Sequence, residues 1–149
     1  MIGSHEVTVQ NRRVQYKFTL HRNITILQGD SATGKTTLID MIEAYQSNGD
    51  SSGVNIKCDA KCMVLPVSNW QLILGATHNS IVFIDDGNAF IASNEFAEAV
   101  KHSDNYFVIA TRRVLVALPY STTEICGIKN KAGSRYQGTK RIYSGLFPL

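Results

Sequence analysis

No stretch of this chain approaches the roughly 18 apolar residues that a membrane-spanning helix needs. The first residues, Met1 to Phe18, interleave polar with apolar side chains and form no apolar core of the secretion-signal kind. A membrane protein is therefore not expected, and a cytoplasmic one is. Cysteine is scarce: three residues, an odd number, suit reduced thiols better than a disulfide framework. Cys58 and Cys62 are spaced C-x3-C, but no second pair at zinc-site spacing follows, so a structural zinc is not expected. Repeats and low-complexity tracts are absent, which excludes a solenoid and argues against disorder. Acidic residues are absent from the last 25 positions. Residues 125–149 carry Lys129, Lys131, Arg135, Lys140 and Arg141 and no acid, whereas residues 1–124 hold ten basic and twelve acidic side chains, net −2. The whole-chain charge of +3 thus does not describe a generally basic protein.

What is present suits one globular domain. The chain has 149 residues, 44% hydrophobic and 18% charged, enough to bury a core without a metal or disulfide staple. Val7 and Val9, then Val14, Tyr16, Phe18 and Leu20, alternate around Asn11-Arg12-Arg13 and predict a β-hairpin. Ile24 to Leu27 is a short apolar run. Leu38, Ile39, Met41, Ile42 and Tyr45 fall at helical spacing over 36–45, and residues 46–53 read as an exposed loop of turn formers. Val54 to Ile56 and Cys62 to Leu65 are short strand candidates. Residues 68–78 suit a helix with Trp70, Leu72, Ile73 and Leu74 inward. Ile81 to Ile84 and Tyr106 to Ala110 are continuous apolar runs, the pattern of strands buried on both faces of a parallel sheet. Between them Ser93 or Asn94 can cap a helix over 95–102. A short helix or turn near 113–117 and a strand over 123–128 follow. Strands alternating with helices imply an α/β fold, a mainly parallel sheet covered on both faces, with the hairpin as an antiparallel addition.

One motif carries chemistry. Gly29-Asp30-Ser31-Ala32-Thr33-Gly34-Lys35-Thr36 matches G-x-x-x-x-G-K-[ST] at every fixed position, after an apolar strand and at the start of a helix. Glycines let the backbone curl so that successive N–H groups meet phosphate oxygens, and the helix adds its positive end. The nucleotide-binding residues are expected to be Gly29, Asp30, Ser31, Ala32, Thr33, Gly34, Lys35, Thr36 and Thr37. Lys35 is expected to reach the β- and γ-phosphates, with the Thr36 hydroxyl on Mg²⁺. Ile81-Val82-Phe83-Ile84-Asp85-Asp86 then ends an apolar strand in two acids: Asp85 is the candidate metal-side carboxylate and Asp86 the candidate to orient or deprotonate the attacking water. Thr111 can sense the γ-phosphate, and Arg112 or Arg113 can neutralise its charge. Asn130-Lys131-Ala132-Gly133 begins like a guanine-reading motif but lacks its Asp, which favours ATP over GTP.

The hairpin leading into this loop, the apolar run ending in Asp85-Asp86, and Val108-Ile109-Ala110-Thr111-Arg112-Arg113 followed by Glu124 to Ile128 resemble the ABC/SMC-type division of P-loop ATPases. The chain is also similar to short bacterial and mobile-element ATP-binding proteins. The resemblance implies a three-layer P-loop NTPase fold over about residues 7–128, with ATP and Mg²⁺ as ligands. It departs from that division in four ways. Asp86 stands where the family usually has Glu, and Arg112 where it usually has His. Only 44 residues separate Thr36 from Ile81, too few for the family's helical subdomain, and no Leu-Ser-Gly-Gly signature occurs. Gln71 lies where a water-contacting glutamine would be sought, although a lone polar residue on a helix usually just meets solvent.

Residues 129–149 form a basic C-terminal extension beyond the 1–128 core. Its cations interleave with Tyr136 and Tyr143, a pattern that suits nucleic acid, a solvated mobile hairpin at a sheet edge, or a lid over bound nucleotide. The expected activity is slow ATP hydrolysis. The alternatives are an ATP-gated binding module or regulator, with a protein partner or homodimer, and a small-molecule or nucleotide kinase.

Overall fold

The computed structural model describes residues 1–28, 34–85, 88–111, 115, 117–118, 125–130, 136–137 and 140–148. Its strands are β1 (His5–Gln10), β2 (Val14–Leu20), β3 (Ile24–Leu27), β4 (Asn55–Lys57), β5 (Lys61–Val64), β6 (Ser80–Ile84), β7 (Tyr106–Ala110), β8 (Ile125–Asn130), β9 (Tyr136–Gln137) and β10 (Lys140–Pro148). The helices are α1 (Lys35–Asn48), α2 (Trp70–Gly75) and α3 (Asn94–Lys101). Among the described residues, no helix is long and apolar enough to cross a membrane.

The architecture is α/β with one mixed sheet, in the order β4-β1-β2-β10-β8-β3-β7-β6-β5, and β9 pairs with β10 off that path. From β5 to β8 the neighbours run parallel. The β1–β2 hairpin is antiparallel, as its alternation predicts, with Val7 opposite Phe18 and Val9 opposite Tyr16. The two parts meet through β10, which is antiparallel to β8 and parallel to β2. The sheet is therefore more evenly mixed than expected, and β10 of the C-terminal segment lies in its interior, not at an edge.

The two outermost strands, β4 and β5, are joined by residues 58–60 alone. Eight inter-strand steps in a flat sheet would span about 38 Å, yet the chain from Lys57 to Lys61 reaches at most roughly 14 Å. The sheet must curl, and it curls around α1, which packs against β1, β4 and β5.

The period of two divides the apolar side chains between two cores. Tyr16, Phe18, Leu27, Ile81, Phe83, Tyr106 and Val108 join Leu38, Ile39, Met41 and Ile42 of α1 inside the curl. Ile24, Ile26, Val82, Ile84, Phe107 and Ile109 join Leu74 of α2 with Phe96 and Val100 of α3 on the opposite face. The β6 and β7 side chains alternate between these cores, which explains their unbroken apolar runs.

Ser93 caps α3 as expected, its Oγ accepting the Phe96 N–H at 3.1 Å. Three local expectations shift. Helix α1 continues to Asn48, and Gln46 ties it to β5, its side-chain oxygen accepting the Val64 N–H at 2.9 Å; a 3₁₀ turn over Gly49–Ser52 follows. Helix α2 is only six residues long, and Leu72 faces solvent at 76% exposure, since so short a helix buries only Leu74 fully. Strand β8 is described over Ile125–Asn130, two residues past the predicted end, while 123 and 124 lie outside the described residues.

Candidate functional site

The carboxyl ends of the parallel strands gather the predicted site residues that the structure describes. Leu27 of β3 is level with Ala110 of β7, and Ile84 of β6 is level with Ile109. One step further along each strand, Gln28 comes level with Thr111 and Asp85 with Ala110, so the three lie within one residue of a common level at one end of the sheet. Two backbone hydrogen bonds carry the ladder past the strand ends: Gln28 N–H to the Cys126 carbonyl at 2.9 Å, and Thr111 N–H to the Leu27 carbonyl at 3.2 Å. Thr111 is fully buried. Asp85 is half-buried, and its carbonyl accepts the Asn88 side-chain amide at 3.1 Å.

Helix α1 starts at this same end of β3. Its N-cap is Gly34, at φ 87° and ψ 7°, a left-handed conformation that glycine adopts without the strain a Cβ would bring. The Gly34 carbonyl accepts the Leu38 N–H at 3.1 Å, closing the first helical turn. Lys35 follows at 6% exposure, a depth unusual for an ammonium. Thr36 and Thr37 are exposed. The structure therefore brings Gly34, Lys35, Thr36, Thr37, Asp85 and Thr111 to one end of the sheet. Gly29, Asp30, Ser31, Ala32, Thr33, Asp86, Arg112 and Arg113 lie outside the described residues.

Two tyrosines meet this site in a way that sequence reasoning did not foresee. The Tyr16 hydroxyl donates to the Gly34 carbonyl at 2.7 Å. Tyr143, the β10 neighbour of Tyr16 in register, stacks on it with ring centroids 4.6 Å apart and planes 7° from parallel. Tyr143 is only 3% exposed, so it is not available to stack on a nucleic-acid base. Alternation in β2 foretells that Tyr16 is buried, but no local signal says that its hydroxyl meets the phosphate-loop motif or that a C-terminal tyrosine covers it.

Other chemistry-bearing residues stand apart. Gln71 is exposed on α2, in a cleft shared with Glu95 and His102 of the α2–α3 face. Cys58 and Cys62 line a cavity of about 330 Å³ beside Tyr45 and Gln46 at the β4–β5 seam, and burial pushes both thiols up from their ordinary value. Among the described residues, no three His, Cys, Asp or Glu side chains are grouped to hold a metal ion. No family model, curated protein or solved structure matches the chain.

Proposed function

We propose that the protein binds ATP with Mg²⁺ through a P-loop NTPase fold and hydrolyses it slowly. The observation that carries this reading is Lys35. A lysine is buried in the first turn of a helix that opens on a left-handed glycine, at the end of the sheet where Asp85 and Thr111 also finish their strands. A buried ammonium in the first turn of a helix is placed to meet a polyphosphate, because charge-assisted hydrogen bonds strengthen in a dry site.

The available donors suit the ligands. Thr36 offers a hydroxyl and Asp85 a carboxylate, an all-oxygen set of the kind a hard cation takes. They are the residues that would hold Mg²⁺, which when bound neutralises charge on the β- and γ-phosphates. Lys35 donates to oxygens of those phosphates. Strand β7 runs between the strand leading to the loop and the strand ending at Asp85, which suits Thr111 to a sensing role between them. Asp86 is the proposed base. It takes a proton from water as the water oxygen attacks the γ-phosphorus and the bond to the β–γ bridging oxygen breaks, leaving ADP and phosphate.

Calorimetry of the full chain with ATP and Mg²⁺ tests the binding. Heat is expected with the wild type and not with Lys35→Ala; no binding at millimolar nucleotide overturns the reading. Phosphate release tests the chemistry. Asp86→Asn is expected to retain ATP binding and to lose about 10²-fold or more in rate, the usual share of a general base. Transfer of labelled γ-phosphate to an acceptor other than water would make the protein a kinase instead.

A further inference from the structure

We propose that Tyr16 and Tyr143 are positioning residues for the phosphate site, so that affinity for a nucleoside triphosphate depends on the C-terminal strand. The inference rests on the nucleotide-binding reading above and says what holds Gly34, and with it Lys35, in place. Gly34 is seated against both rings. A Cβ built on Gly34 would lie 2.8 Å from the Tyr16 hydroxyl oxygen and 2.9 Å from both Cζ and the hydroxyl oxygen of Tyr143. Such distances are too short for real contacts, so a side chain at 34 would have to push the outer ends of both rings aside, in addition to the strain of its φ of 87°. The Gly34 carbonyl is held from two sides, by the Tyr16 hydroxyl at 2.7 Å and by the Leu38 amide at 3.1 Å.

The stack transmits this hold across the sheet. Tyr16 belongs to β2 and Tyr143 to β10, neighbours paired in register. Both rings are nearly sealed from solvent, and they pack on the apolar core beneath α1. Tyr143 limits where the Tyr16 ring can move, and the Tyr16 hydroxyl limits where Gly34 can move. Lys35 is the next residue, so an error at Gly34 displaces the ammonium directly.

The test uses the full-length chain and four proteins: wild type, Tyr16→Phe, Tyr143→Phe and Tyr143→Leu. Tyr16→Phe deletes one hydrogen bond and keeps the stack, Tyr143→Phe keeps the stack, and Tyr143→Leu removes it. Dissociation constants for ATP–Mg²⁺ come from calorimetry, and melting temperatures are taken with and without nucleotide. Tyr16→Phe is expected to weaken ATP binding about fivefold, the equivalent of one ordinary hydrogen bond. Tyr143→Leu is expected to weaken it more, and Tyr143→Phe to restore most of that loss. In wild type labelled at tyrosine ¹³Cζ, the Tyr16 resonance is expected to shift on adding ATP–Mg²⁺. Wild-type binding together with unchanged affinity in Tyr16→Phe and Tyr143→Leu overturns the positioning role and leaves the nucleotide reading standing. A smaller nucleotide-free melting temperature with an unchanged dissociation constant assigns the pair to folding alone and also overturns it. Absence of wild-type binding removes both readings.

Discussion

At the amino ends of β6 and β7 the polar side chains bond the protein's own backbone and one another, whereas at the carboxyl ends they are gathered where a helix begins. Asn105, buried just before β7, accepts the Ser80 N–H at 2.9 Å and donates to the Thr77 carbonyl at 2.9 Å and to Ser103 Oγ at 2.8 Å. The Tyr106 hydroxyl donates to the Gly3 carbonyl at 2.6 Å, and His5 meets Asp59 at 2.9 Å. Each closes an irregular segment onto the sheet. At the other end the buried polar side chains among the described residues are Lys35 and Thr111, and Gly34 and Asp85 lie at that same end. One end ties irregular segments to the sheet and the other is the end where we propose that nucleotide binds, so substitutions at the two ends are expected to separate in what they damage.

The sharpest break of that contrast is Lys35→Ala. We expect ATP affinity to fall by at least about 100-fold, since a charge-assisted contact in a dry site is lost. The melting temperature without nucleotide is expected to move by less than it does in the amino-end variant below. Calorimetry paired with thermal melts checks both halves. A Lys35→Ala protein that binds ATP normally but melts much earlier would place Lys35 with the structural polar groups and erase the contrast.

The contrast also shows what the sequence makes legible. The strand–helix alternation, the hairpin register, the Ser93 cap and the two unbroken apolar strands follow from periods of two and 3.6 and from turn chemistry, which are local properties. The gathering of Lys35, Thr36, Asp85 and Thr111 follows from strand direction, because parallel neighbours put their carboxyl ends together. The place of β10 does not follow. Its basic residues and glycines read as a solvated edge, yet it pairs on both sides, with β2 and β8. Long-range pairing is decided by which unsatisfied edges remain after folding, and no local pattern encodes that. The Tyr16–Tyr143 stack was hidden for the same reason: it joins residues 127 positions apart. Residues 140–148 are thus part of the sheet, and removing them would leave β2 and β8 with unpaired edges.

The amino end supplies the next test. In Asn105→Ala the Ser80 N–H and the Thr77 carbonyl lose their partner in the protein. Leaving such groups unsatisfied costs about 1–3 kcal/mol each, so a loss of about 2–6 kcal/mol is expected from denaturant titration. ATP affinity measured well below the melting transition is expected to be unchanged. A large loss of affinity with little loss of stability would show that the two ends are not separable.

The smallest effect sharpens the same comparison through pH. The hydrogen bond from His5 is the main cause holding the Asp59 carboxyl below its ordinary value, and the charge of His5 adds to it. A carboxylate whose value is depressed in the folded state stabilises the protein at pH above its unfolded value, about 4. That contribution disappears as pH falls through the lower, folded value. Asp59 lies at the surface, 66% exposed, so solvent screens the pair and the effect is small. Melting temperature measured from pH 7 down to pH 3 is expected to drop in the acid range. Asp59→Asn is expected to start slightly lower at neutral pH and to show a shallower acid drop, because the variant has no proton to take up at that position. ATP affinity at neutral pH is expected to be the same in both proteins. Equal acid slopes would mean that the His5–Asp59 bond contributes nothing to closing the amino end, and the structural side of the comparison would then rest on Asn105 and Tyr106.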